Sequence, residues 1–481
     1  MKSIGAKIYE EASESCCIST MSQCRSCKEK DTCLILRDQL SFYNRLGISQ
    51  IDDAVDSKSL NSIKYLWQDS VRTKKYDPSW NYSEDDTRAY THSIHPYPAM
   101  MIPQVAGRLI DMYAKPKAVV FDPFCGSGSV LLEVFIRGYD SYGVDINPLS
   151  LLISKVKTTP VDYEDLQIEL EKIFKKASYT KKAKKPNFFN IDYWFKPEVV
   201  SQLTALRTAI NLIKDKKTKD FFNVAFSFTV RAVSNTRNGE FKLYRIDDDK
   251  LKNYSPDVFE IFKKKTENNI TAMADLWEKY RGSKTKVNIL SEDTRHKTSI
   301  KDREIDIVVT SPPYGDSKTT VAYGQFSRLS LQWLGFEGKD IDVDNRSLGG
   351  RLDVKNLHLG YASPNLRYVL DLVSRADKKR AREVLAFYID LNKCFLELCR
   401  VIKRGGILCM VVGNRTVKGI QLPTDEIVAD FGESAGFRYI ETIIRKIPNK
   451  RMPSKNSPTN EPGVLGATMT EEHIVILEKI Q

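Results

Sequence analysis

Between Val119 and Lys157 the chain makes one move twice, from apolar strand through a turn into a helix, and few folds accommodate that repetition. Val119-Val120-Phe121 reads as a short buried strand, Asp122-Pro123-Phe124-Cys125-Gly126-Ser127-Gly128 as a turn, and Ser129 to Arg137 as a helix. Gly138 suits the position just past that helix. Tyr142-Gly143-Val144 is a second strand ending in Asp145, and Asn147-Pro148 is an N-cap followed by proline at the first helical position. This β-α-β-α unit predicts an α/β fold with parallel strands. Such sheets bind ligands outside the carboxyl ends of their strands, and Asp122 and Asp145 stand at two of those ends.

A dinucleotide fingerprint requires glycine at position 131, which is Leu131, and a phosphate loop requires Gly-Lys-Ser/Thr, which is absent. A carboxylate in the loop opposes a pyrophosphate and suits a cationic ligand, and an acid on the second strand suits a ribose diol. S-adenosylmethionine, a sulfonium nucleoside without phosphate, meets both conditions. The competing reading is an ordinary α/β turn that binds nothing, since a lone Gly-x-Gly is weak. A second signal decides between them. Arg303 to Thr310 reads as a strand and runs into Ser311-Pro312-Pro313-Tyr314-Gly315, where the two prolines make a rigid, extended corner.

On these stretches the chain resembles the amino-methyltransferases, S-adenosylmethionine-dependent enzymes that methylate exocyclic amines of DNA bases. The resemblance covers about residues 90 to 160 and 285 to 480. It implies a Rossmann-like methyltransferase sheet, mostly parallel with its last strand antiparallel. By the same resemblance Asp122, Pro123, Phe124, Cys125, Gly126 and Gly128 form the cofactor loop, and Asp145 and Ile146 lie at the ribose. His95-Pro96-Tyr97-Pro98-Ala99 packs over the methionine end, and Asp293 accepts from the adenine amino group. Ser311, Pro312, Pro313 and Tyr314 would be catalytic: the Ser311 hydroxyl and Pro312 carbonyl accept hydrogen bonds from the target amine, and Tyr314 offers an aromatic face to a base flipped out of duplex DNA. Ser-Pro-Pro-Tyr is the commoner form among N4-cytosine enzymes and favours cytosine over adenine N6. The family also implies a restriction-modification or defence context with a cognate restriction endonuclease. Two other readings stand beside this one: methylation of RNA or of a protein glutamine, and a non-catalytic DNA-binding protein.

Composition agrees with a nucleic-acid partner. The 481 residues carry a net charge of +12, and lysine- and arginine-rich surfaces favour polyanions through counterion release. No apolar run reaches the length of a membrane span and no signal peptide precedes the chain, so a cytoplasmic protein is expected. Five of the nine cysteines crowd the first 33 positions. Cys24-x-x-Cys27 is the close pair a metal knuckle uses, and Cys33 with Cys16 or Cys17 completes a set of four for zinc or an iron-sulfur cluster; unligated thiols are the alternative. Cys125, Cys394, Cys399 and Cys409 read as core residues. His92 and His95 are separated from any helical pairing by the prolines that follow and read as packing residues.

The expected organisation is a Cys-rich segment (1–50), the start of the methyltransferase domain (51–157), an inserted target-recognition region (158–285), and the remainder of that domain (286–481) with a second insertion at about 335–382. Within the first insertion, Val200 to Lys214 and Val258 to Arg281 predict helices, and the polar loop between them holds Arg237, Asn238, Lys242 and Arg245, side chains suited to base edges or phosphate. Lys450 and Arg451, in the basic loop from Lys446 to Lys455, extend that nucleic-acid surface. Phe387 to Val401 predicts an amphipathic helix, Ile407 to Val412 the strand after it, and Gly436 to Ile440 and His473 to Leu477 the last two strands.

Overall fold

Val120, Phe121, Ile307, Val308 and Val309 have no exposed surface. Successive strand residues point to opposite faces, so burial of consecutive residues means that this part of the sheet is covered on both sides, which is why its strands read as unbroken apolar runs. The computed structural model describes residues 72–179, 184–237, 239–317, 319–351, 363–447 and 469–480, with the backbone of 455–456 and 466–467. Its strands of three or more residues are β1 (Lys74–Tyr76), β2 (Val119–Asp122), β3 (Asp140–Val144), β4 (Val287–Leu290), β5 (Ile305–Thr310), β6 (Ile402–Val412), β7 (Phe437–Lys446) and β8 (Glu471–Lys479). The longer helices are α1 (Pro103–Tyr113), α2 (Ser129–Ile136), α3 (Pro148–Lys157), α4 (Tyr163–Tyr179), α5 (Pro197–Asn211), α6 (Lys216–Val233), α7 (Val258–Tyr280), α8 (Tyr323–Leu334), α9 (Pro364–Ala376), α10 (Lys378–Val401) and α11 (Thr424–Ser434).

The chain divides into two units, one of residues 82–351 and 387–411, the other from within 1–81, 352–386 and 412–481. In the larger unit five strands lie parallel in the order β6-β5-β2-β3-β4. The first strand-turn-helix steps form as the sequence predicts. Asn147 caps α3 by accepting from the Leu149 amide at 3.1 Å, with Pro148 as the first helical residue. Gly138 takes the left-handed conformation just past α2. Helices α5 and α7 start and stop within about three residues of their predicted limits.

The region 158–285 shares its core with the larger unit. Phe221, Phe222 and Phe226 of α6 are fully buried in a core that α5, α7 and α8 share. Trp333 of α8 meets the edges of Phe195 and Phe226 at 5.6 and 6.2 Å. Within the smaller unit β1 runs parallel to β7, and β8 pairs with β7 antiparallel, so the last strand has the expected direction. Arg72 and Lys74, which flank the start of β1, meet Asp425, Glu426 and Asp430 of α11 in ion pairs of 2.6 to 2.7 Å. Cys125, Cys394 and Cys409 are buried, whereas Cys399 is only half-buried. The Cys-rich segment with Cys16, Cys24, Cys27 and Cys33 lies outside the described residues, as do Asn238, Lys450 and Arg451.

Candidate active site

The carboxyl ends of β2, β3, β4 and β5 open into one cavity that communicates with solvent. The loop after β2 contributes Asp122, Pro123, Phe124, Cys125, Gly126 and Ser127; the end of β3 contributes Asp145 and Ile146; the end of β4, Asp293; and the corner after β5, Ser311 and Pro313. The predicted cofactor and catalytic stretches therefore meet around one space. Gly128, Pro312, Tyr314, His95 and Pro96 are not among its lining residues.

The two carboxylates have different surroundings. Asp145 accepts from the Gly126 amide at 3.0 Å and from the Asn147 amide at 2.7 Å, so it joins the first loop to the turn after its own strand. Asp122 is 2 % exposed; one of its oxygens accepts from the Thr310 hydroxyl at 2.7 Å and from the Phe124 amide at 3.1 Å. Burial pushes its carboxyl up to about 7, against the two hydrogen bonds that favour the anion. Burial raises Asp145 as well. The sequence treats Asp122 as a countercharge; its surroundings make it also a tie between the ends of β2 and β5. Burial holds the Cys125 thiol protonated, consistent with a packing residue.

Asp293 is held by Arg295, whose guanidinium donates to both carboxylate oxygens at 2.6 to 3.1 Å. Partial burial would raise that carboxyl, but the hydrogen bonds and charge of Arg295 bring it below the ordinary range. Arg295 also reaches Asp390 at 2.8 Å and the Arg346 carbonyl at 2.6 Å. At the corner after β5, the Ser311 hydroxyl donates to the Tyr314 hydroxyl at 3.1 Å. A serine has one proton to give, so its oxygen stays available as an acceptor.

Of the expected segment 95–99, Tyr97, Pro98 and Ala99 line the cavity, and His95 and Pro96 do not. His95 is buried edge-on between Phe228 and Phe326, at 6.4 and 6.0 Å, and Pro96 is exposed. The wall is built instead by Tyr97, Pro98, Ala99, Met100 and Met101. The packing reading of His92 agrees with its burial and its 2.8 Å contact to Glu133. Sequence reasoning also misses Tyr323, which stacks on Tyr97 with ring centres 5.9 Å apart, and residues 343–348 of the second insertion, where Val343, Arg346, Ser347 and Leu348 line the cavity. Asp344 fixes that segment by accepting from the Gly324 and Gln325 amides at the start of α8, at 2.8 and 2.9 Å.

The candidate nucleic-acid residues are partly committed elsewhere. Arg237 is exposed and pairs with Asp247 at 2.8 Å; Arg245 pairs with Asp248 and lies over the Tyr193 ring at 4.6 Å. Lys242 is half-buried. Among the described residues no cluster of three or more His, Cys, Asp or Glu could hold a metal ion, and no helix is long and apolar enough to cross a membrane.

The geometry agrees with what the chain is similar to. Residues 21–155 match the family model described as DNA methylase, and residues 105–332 match the D12 class N6 adenine-specific DNA methyltransferase model. The type II methyltransferase M.MvaI of Kocuria varians is 44 % identical over 418 residues, covering 82 % of this chain and 92 % of that protein. The type II methyltransferase M.MjaII of Methanocaldococcus jannaschii is 33 % identical over 100 residues, 21 % of this chain and 19 % of its own length. Among solved structures, the SAM-dependent methyltransferase of Methanosarcina mazei aligns over 77 % of this chain and 97 % of its own, with a TM-score of 0.29 and 11 % identity.

Proposed function

The chain belongs to the S-adenosylmethionine-dependent type II DNA methyltransferases, and from that premise we propose that it methylates the exocyclic N4 amine of cytosine in duplex DNA, after the base has left the stack. The observation that carries this reading is the convergence of Ser311, Asp145 and Asp293 on one cavity.

When bound, S-adenosylmethionine supplies a methyl group on a sulfonium leaving group. The residues present fit such a ligand. Asp145 offers acceptors to a ribose diol, Asp293 an acceptor to the adenine amine, and Asp122 a carboxylate beside the cationic centre. The chain's task at the other reactant is to make a poor nucleophile competent. The lone pair of an exocyclic amine is delocalised into the ring, and acceptors held on its N–H groups localise that pair on nitrogen. Ser311, with its own proton given to Tyr314, and the Pro312 carbonyl on a corner stiffened by two prolines, are the acceptors that would do this. The proton that the amine must shed on methylation would leave to water. Alignment in a site screened from solvent supplies most of the acceleration, so no strongly shifted general base is required.

Ser311 is what favours cytosine, because the chain resembles N4-cytosine enzymes at that corner. The match of residues 105–332 to an adenine-specific family model favours the second reading, N6 of adenine. The resemblance, together with the family, also supports a restriction-modification setting with a partnered endonuclease. Incubating duplex plasmid DNA with the enzyme and labelled S-adenosylmethionine, then digesting to nucleosides, decides the base. Labelled N4-methylcytosine is expected, and label in N6-methyladenine overturns the cytosine assignment.

A further inference from the structure

The Lys157 side chain, at the end of α3, is fully buried. Its ammonium has three protons to donate and meets the Ser127 hydroxyl at 3.3 Å and the Met100 sulfur at 3.9 Å. Among the described residues no carboxylate pairs with it. The one charged group acting directly on it is Lys265; around the neighbouring His92 and His95 stand Arg231 and the carboxylates Asp86 and Glu133, and Glu133 is occupied by His92 and Arg137. Burial, with Lys265 adding to it, lowers the lysine to about 7. Isolated buried cations are costly; Arg72 is paired with Glu426 and Asp430 and Arg295 with Asp293 and Asp390, and Arg231 is met by the Phe326 and Glu240 carbonyls and the Phe326 ring, whereas Lys157 has only a hydroxyl and a thioether.

Ser127 and Met100 both line the cofactor cavity, so Lys157 lies directly behind its wall. The strand order says which part of the ligand arrives there. Adenosine is expected along Asp145 and Asp293, at the ends of β3 and β4, while the reactive methyl must face Ser311 at the end of β5. The amino-acid tail is left to the β2 loop and to residues 97–101. That tail carries a carboxylate; of the two arginines lining the cavity, Arg295 is paired with two aspartates, and Arg346 gives one N–H to the Lys339 carbonyl at 3.1 Å and lies on the wall of the second insertion, away from the β2 loop.

We propose that Lys157, acting with the Ser127 hydroxyl, is the receptor for the α-carboxylate of S-adenosylmethionine. The lysine donates to Ser127 and fixes that hydroxyl as a donor toward the cavity, and the ammonium supplies the countercharge behind it. The proposal rests on the reading of this cavity as the S-adenosylmethionine site.

Calorimetric titration of the full-length protein with S-adenosylmethionine and with its decarboxylated analogue tests it, using wild type, Lys157→Met and Ser127→Ala. Lys157→Met should weaken S-adenosylmethionine on the order of 10- to 100-fold and leave the decarboxylated analogue within about twofold, with Ser127→Ala moving the same way. Equal losses for both ligands, or no loss for S-adenosylmethionine, overturn the proposal. Removing an unpaired buried charge spares the fold, which a thermal melt verifies. Should the variant nevertheless fail to fold, wild type alone still decides, because equal affinity for the two ligands overturns the proposal. If wild type binds neither ligand, the cofactor reading itself falls and the assignment of Lys157 with it.

Discussion

Asp122 holds its place at a cost that depends on pH. Its folded carboxyl is pushed to about 7 from an ordinary value of 3.8, so the folded state binds the proton more tightly than the unfolded chain does. The resulting stability is complete below pH 4 and is lost as the pH rises from about 4 through about 7. Asp122→Asn keeps an oxygen for Thr310 and the Phe124 amide but cannot ionise. The variant should therefore melt above wild type at pH 8, by about 1–2 °C for each kcal/mol recovered, and converge on it at pH 4. It should also lose cofactor affinity, because the countercharge is gone. Thermal melts at the two pH values, without ligand, check the first part; an equal difference at both would show that ionisation is not the cause. The residues of the loop and corner were legible because each lies in a consecutive stretch whose chemistry is local. The Thr310 bond to Asp122 was not, since 188 positions separate the partners, and neither was the hydrogen bond from Asn147 to the Tyr97 hydroxyl, across 50.

Among the elements, the contact between the cofactor loop and α3 tolerates little change. Gly128 has a φ of 78°, and a Cβ there would lie 2.8 Å from the Ser154 backbone and 2.9 Å from its side chain. Ser154 in turn donates to the Gly126 carbonyl at 2.7 Å, so moving the helix away would break the bond that shapes the loop. Gly128→Ala should destabilise the protein by about 2–4 kcal/mol, from the left-handed backbone and the overpacking together. Denaturant unfolding measures this, and a midpoint unchanged from wild type would show that the helix can yield. Most strands and helices were legible from their apolar runs and from caps such as Asn147. Strand β1 was not, because Lys74-Lys75-Tyr76 is too short and too polar to show a period, and its place depends on pairing with β7, more than 350 residues later.

For the molecule as a whole, the net charge of +12 predicts steep salt dependence of duplex binding. Raising salt from 50 to 200 mM should weaken it about a thousandfold if some six phosphates are contacted, while cofactor affinity changes far less. Fluorescence anisotropy with a labelled duplex measures the slope, and a flat response would deny a binding surface dominated by phosphate contacts. The division into units was not legible. The sequence presents 158–285 as an insertion, yet its aromatic side chains complete a core with α8, which only three-dimensional packing reveals. The second insertion is similarly entangled. Because Val343, Arg346, Ser347 and Leu348 line the cavity proposed for the methyl donor, that stretch is not a cassette. Grafting the corresponding residues from a relative with a different target site would bring a foreign wall to the cofactor, so re-engineering of sequence preference there has to be scored for methyl-donor affinity at every step.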